Sequence, residues 1–124
     1  MQLTEELTLG DTVVFERGGV ILGFAVWHGE ALAAGRPADE LRVLKLFADS
    51  LVTFERLIVA LESIAANRRL HRVAIRCQTA CQDAYRKLIE RGYRVRWTDL
   101  RMTLTGYPEP VTPGDEVLLS NWEI

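Results

Sequence analysis

Histidine and cysteine are scarce in this chain, two of each in 124 residues. A structural zinc site takes four ligands. His28 and His71 have no ligand spacing to Cys77 and Cys81, so no metal centre is expected. Two thiols with no wider cysteine framework fit a reduced, cytoplasmic setting. Charge of one sign is also missing: 15 Lys and Arg oppose 17 Asp and Glu, for a net charge of -2. The broad positive field that nucleic-acid binding needs is therefore absent. Long apolar runs are lacking too. The longest, Val20 to Trp27, is too short to cross a bilayer. The amino-terminal stretch MQLTEELTLGD has neither the basic start nor the apolar core of a signal peptide. No phosphate-binding loop or dinucleotide fingerprint occurs, because Gly18, Gly19 and Gly23 fall inside a hairpin pattern.

What remains is the composition of one globular domain spanning residues 1–124, with 48% apolar and 26% charged residues. Residues 1–10 read as a polar lead, a turn of helix or a loose segment. Thr12 to Glu16 and Val20 to Trp27 read as strands joined by Arg17-Gly18-Gly19, where glycine takes positive φ at little cost. His28 to Asp39 reads as a loop, and Glu40 to Ala48 as a central strand. In that strand alternation puts Leu41, Val43, Lys45 and Phe47 on one face. Ser50 to Asn67 carries a helical stripe of Leu57, Leu61, Ile64 and Ala65, with Asp49 or Ser50 as the cap and Asn67 as the left-handed end residue.

His71 to Gln78 reads as a strand. Thr79 to Arg91 reads as a second helix, opened by a Thr79–Gln82 capping box and closed by Gly92. Tyr93 to Trp97 and Leu100 to Thr105 alternate as two more strands. Residues 106–124 hold three of the four prolines and read as an extended tail packed through Val117, Leu119 and Trp122. The expected order is β-β-β-α-β-α-β-β, an α/β (α+β) fold with a mixed, mostly antiparallel sheet and two main helices.

The stretch ALESIAANRRLHRVAIRCQTACQDAYRKLIERGYRV, Ala60 to Val95, with its early helical Ala84 and its Gly92-Tyr93, resembles the acyl-CoA N-acyltransferase (GNAT) superfamily. The resemblance runs from Leu41 to Thr105, and the hairpin around Gly23-Phe24-Ala25 extends it. It implies a truncated GNAT core, similar to the short carboxyl-terminal lobes of two-lobed GNAT-like proteins. It also implies acetyl-CoA as cofactor, with the pantetheine pairing against the exposed edge of the Glu40 to Ala48 strand near Leu44, Lys45 and Leu46. Two departures accompany it. The family binds pyrophosphate on a Q/R-x-x-G-x-G/A loop at a helix N-terminus, and the matching positions here are Asp49, Ser50, Leu51, Val52, Thr53 and Phe54, with no glycine. The family's tyrosine acid falls on Leu88, with Tyr85 one turn earlier.

The candidate catalytic residues are His28, as a base with Glu30 nearby, and Tyr85. The candidate cofactor-binding residues are Leu44, Lys45, Leu46, Asp49, Ser50, Val52, Thr53 and Gln78. The more ordinary readings are a loop histidine, buried thiols at Cys77 and Cys81, tryptophans as packing anchors, and a solvated basic connection at Arg68, Arg69, His71 and Arg72. Two functions follow. One is an N-acetyltransferase that passes an acyl group from acyl-CoA to an amine acceptor. The other is a non-catalytic GNAT-like module that pairs with a second copy of itself or with a second lobe.

Overall fold

The computed structural model describes residues 2–7, 12–29, 39–78, 81–96, 98, 105–106 and 116–120. Four strands come first: β1 Gln2–Leu7, β2 Thr12–Arg17, β3 Val20–His28 and β4 Glu40–Ala48. Helix α1 spans Leu51–Asn67, β5 spans Arg72–Ala74, α2 spans Gln82–Glu90 and β6 spans Val117–Ser120. The result is a mixed α+β fold with a mostly antiparallel sheet. The sheet runs β1-β2-β3-β4-β5, and β6 pairs with β4 outside that path.

Alternation decides which faces are buried. Val13 and Phe15 of β2, and Ala25 and Trp27 of β3, turn into the core. Phe54, Leu57, Ile58, Leu61, Ile64 and Ala65 of α1 meet them from one side of the sheet. β4 departs from the simple alternation read from its sequence. Leu41 and Val43 are buried, but so are Leu46 and Ala48, whereas Lys45 is exposed. The cause is a bulge. Val26 partners Lys45 while its neighbour Trp27 partners Val43, so Leu44 is an extra residue on β4 and the inward parity changes there.

Helix α1 begins where the sequence placed it. Ser50 is the N-cap, and its Oγ accepts from the Thr53 N–H at 3.3 Å. The far end differs from expectation. Arg69, not Asn67, takes the left-handed conformation, with φ 58°. The Leu70 and Arg69 N–H groups then return to the Ala65 and Ala66 carbonyls, which satisfies two terminal acceptors. Helix α2 starts three residues later than expected, with Cys81 as an N-cap that makes no side-chain capping bond. Gln82 is thus the first helical residue and cannot serve as the third residue of a capping box; Thr79 lies outside the described residues. The other end matches expectation. Gly92 has φ 96°, and Tyr93 and Gly92 donate to Leu88 and Ile89.

Three further expectations change. Gln2–Leu7 is an edge strand, antiparallel to β2, where a polar lead was expected; charge on an edge strand is compatible with pairing on one side only. β5 is three residues long, so Cys77 lies beyond it. Tyr93 to Arg96 lie in no strand, because β5 offers little edge to extend. Side chains hold this segment instead: Arg96 pairs with the buried Glu40 at the start of β4, and the Tyr93 hydroxyl donates to Glu62 of α1 at 2.9 Å. Most of Leu100 to Thr105 lies outside the described residues, with Thr105 in a turn.

Gly23 sets the height of α1 above the sheet. A Cβ there would lie 2.6 Å from the Phe47 carbonyl oxygen and 2.9 Å from Thr53 Cγ2. Backbone cannot yield as a flexible side chain does, so Gly23→Ala is expected to destabilise the fold by about 1–3 kcal/mol through overpacking. Urea unfolding measures this. A stability unchanged within about 0.5 kcal/mol contradicts the close approach.

Candidate functional site

The residues singled out for cofactor binding converge on the carboxyl-terminal end of β4 and the first turn of α1. Residues Lys45 to Ala48 pair with β3 along one edge. Their other edge is paired as well. Lys45, Leu46, Phe47 and Ala48 match Ser120, Leu119, Leu118 and Val117 of β6 in antiparallel register. β5 runs parallel to β4 on this same side, but only across Glu40 to Arg42. β4 thus serves two partners along one edge, with Val43 and the bulged Leu44 between them. β6 buries Val117 and Leu119 and leaves Leu118 partly exposed. The backbone offered by the sequence to a pantetheine is engaged by the chain's own strand.

The start of α1 is equally self-contained. The Asp49 N–H donates to the carbonyl of Leu22 at 2.8 Å. The Asp49 carboxylate accepts from Thr53 Oγ1 at 2.6 Å, and Ser50 Oγ lies 3.3 Å from the same hydroxyl. Thr53 is fully buried. A carboxylate at this end complements the helix dipole and fills the place where an external anion would gather. Val52 is exposed, and its side chain stands where the family pattern has glycine.

The catalytic candidates are not brought to this end. His28 closes β3 and partners Arg42. That is six residues along β4 from Ala48, about 20 Å of strand. Tyr85 is an exposed residue of α2, while Leu88 is buried in the core. Gln78 is half-buried beyond β5, and its backbone carbonyl accepts from the Cys81 N–H at 3.0 Å. A groove of about 430 Å³ runs along α1 from its first turn, lined by Phe15 of β2 and by Val52, Glu55, Arg56, Val59 and Ala60. Among the described residues, no cluster of three or more His, Cys, Asp and Glu side chains is placed to hold a metal. No described helix is long and apolar enough to cross a membrane.

Charged side chains join separate segments of the chain in contacts that the sequence pattern did not show. Glu40, 5% exposed, receives Arg96 and lies 3.3 Å from Arg42 Nε. Arg68 stacks on Trp27 at 4.8 Å from the ring centroid. Arg91 and Tyr93 both reach Glu62. Most of these pairs join residues far apart in sequence, and no local pattern announces such a pair.

The two thiols sit at the hinge between β5 and α2. Cys77 Sγ is 4.0 Å from the Cys81 carbonyl oxygen, and Cys81 Sγ is 3.8 Å from the Leu118 carbonyl oxygen of β6. Burial, and then the neighbouring Cys81, push the Cys77 thiol up to about 12. A group of this kind stays protonated in the folded chain after the unfolded chain has ionised at an ordinary 9.0. Its stabilising contribution is therefore intact below pH 9 and falls as pH rises towards 12. Tyr93, raised by burial and by Glu62, acts in the same direction at still higher pH. Denaturant unfolding between about pH 8 and pH 10.5 is expected to show stability falling with pH by up to about 1 kcal/mol per unit. Cys77→Ala should flatten this slope; an unchanged slope contradicts the assignment.

Comparison with known proteins places the fold. No protein-family model and no curated protein sequence matches the chain. Solved structures do. TTHA1254 from Thermus thermophilus superposes with a TM-score of 0.60 at 19% identity, over 80% of this chain and 74% of that one. A single-residue variant of the same protein gives 0.61. The aminoglycoside N-acetyltransferase AAC(6')-Iy, in complex with CoA, gives 0.56 at 12% identity, over 75% of this chain and 74% of that one. The chain has a fold like that of a GNAT acetyltransferase.

Proposed function

We propose that the chain is a non-catalytic GNAT-like module that acts through protein contacts. The observation that carries this reading is the pairing of β6 with Lys45 to Ala48. A pantetheine on that edge would have to displace four residues of strand and expose the buried Val117 and Leu119. Two further observations support it. The first turn of α1 offers the Asp49 carboxylate and the Val52 side chain where a pyrophosphate would need bare N–H groups and no negative charge. Leu88, at the position of the family's acid, has no proton to give and is buried.

A second reading, acyl transfer from acyl-CoA to an amine, rests on the likeness to a CoA-bound N-acetyltransferase. It requires β6 to leave, and it leaves His28 or a water to take the proton of the amine.

Calorimetric titration separates the two. Acetyl-CoA and CoA at millimolar concentration are expected to give no binding heat and no rise in melting temperature. A dissociation constant near ten micromolar would stabilise the fold by ~2.7 kcal/mol at a hundredfold excess over that constant. Such a shift would overturn the first reading in favour of the second.

A further inference from the structure

Charge is divided unevenly along this chain, although its net value is small. Residues 68–96 hold nine of the 15 Lys and Arg but two of the 17 Asp and Glu. Building on the reading of the chain as a contact module, we propose that it makes contact through the arginine-rich end of the sheet where β4 begins. Its partner there is a short acidic segment of another protein.

The fold gathers these cations at one place. The His71 and Arg72 N–H groups both donate to the Asp39 carbonyl, at 2.8 and 3.2 Å, which brings the end of α1 and the start of β5 against the start of β4. Arg72 is the Cα partner of Glu40, and Glu40 receives the Arg96 and Arg42 side chains. Arg94 is two residues from Arg96, within about 7 Å along the chain. Arg69, His71, Arg72 and Arg94 are all exposed. Among the described residues, Arg69, Arg72 and Arg94 form no ion pair. The nearby acids are already engaged. Glu40 serves two arginines, Glu62 takes Arg91 and Tyr93, and Glu90 takes Lys87. Among the described residues at this end, that leaves Asp39 against three guanidinium groups.

Backbone conformation gives an independent sign. Arg69 has φ 58°, in the left-handed region where a Cβ is unfavourable and glycine or asparagine is the usual residue. Ending α1 requires that conformation but not an arginine. Strain of this kind gathers where a side chain is in use. The dipole of α1 favours a cation at its carboxyl-terminal end, but the effect fades within one turn and does not account for Arg72 or Arg94.

Three features set the chemistry of the partner. Every strong cation of the cluster is an arginine, whose planar fork pairs with a carboxylate through two hydrogen bonds. Val95, 52% exposed between Arg94 and Arg96, offers cover to an apolar side chain on the same segment. The segment has to be short, because the rest of the chain holds 15 acids against six cations and repels a polyanion that extends past this end. A nucleic acid would extend that far. Trp27 is also buried beneath Arg68, and the Tyr93 hydroxyl is held by Glu62, so neither ring is presented for stacking on a base.

Fluorescence anisotropy of a labelled peptide, glutamates around a central leucine, provides the test on the intact chain. Binding is expected at about 50 mM salt and weaker binding at about 200 mM, as charge screening requires. Arg69→Gln, Arg72→Gln and Arg94→Gln together should weaken it by about tenfold. Arg56→Gln, on the outer face of α1, should leave it unchanged. Arg94 lies outside every helix and strand, so Arg94→Gln alone serves if the triple variant does not fold, with a loss of about threefold expected. No binding at the lower salt overturns the proposal, and so does undiminished binding by either arginine variant. Tighter binding of an oligothymidylate of equal charge overturns it in favour of nucleic acid. Failure on any of these counts leaves the closed edge of β4 standing, because the acetyl-CoA titration tests that separately.

Discussion

One residue of β4, Leu44, sets the arrangement of everything around it. Without the bulge, the alternation begun by Leu41 and Val43 would carry Lys45 and Phe47 into the core and leave Leu46 and Ala48 outside. With it, the apolar residues buried are Leu41 and Val43 in the first half of the strand and Leu46 and Ala48 in the second. A bulge also bends and twists the strand that carries it. β5 follows β4 only as far as Arg42, and β6 takes over from Lys45. Two partners, one parallel and one antiparallel, share one edge of one strand on either side of that point. A core that accepts Leu46 and Ala48 is also the core that receives Leu119 and Val117 of β6, since these residues face one another across the pair.

The end of β4 passes directly into α1, and the same economy of local contacts holds there. Leu22 is the extra residue in the β2–β3 register, between the Phe15–Gly23 and Glu16–Ile21 pairs. Its carbonyl accepts the Asp49 N–H, which fixes the turn between strand and helix. Asp49, Ser50 and Thr53 then satisfy one another, and Gly23 lets the helix settle close to the sheet. Free donors at a helix start are few, and here the N–H and hydroxyl of Thr53 are both engaged within the turn.

Much of this was legible in the residues. The β2–β3 hairpin, the span of β4, the Ser50 cap of α1 and the Gly92 terminator of α2 all follow from local chemistry that a sequence displays. Val117 and Leu119 were readable as anchors of the tail from their spacing. Their partner was not, because strand pairing is a long-range choice and VLLS carries no mark of the edge it will meet. The bulge at Leu44 was hidden for a related reason. ELRVLKLFA alternates acceptably in either parity, and only packing against β3 and α1 selects one. The Thr79–Gln82 spacing does not set the start of α2, which begins at Gln82 with Cys81 as its N-cap. The candidate site was read from the family resemblance as a place for acyl-CoA. Most of its residues do gather at one end of β4, but what meets them there is another part of the chain.

Both edges of the second half of β4 are hydrogen-bonded, one by β3 and the other by β6. Backbone N–H groups of a strand point alternately to its two neighbours. Residue-resolved amide hydrogen exchange on the intact chain therefore reads the claim directly. Slow exchange at every amide from Lys45 to Ala48 is the predicted result. Protection at alternate positions only, with the remaining amides exchanging at the rate of an open edge, would contradict it.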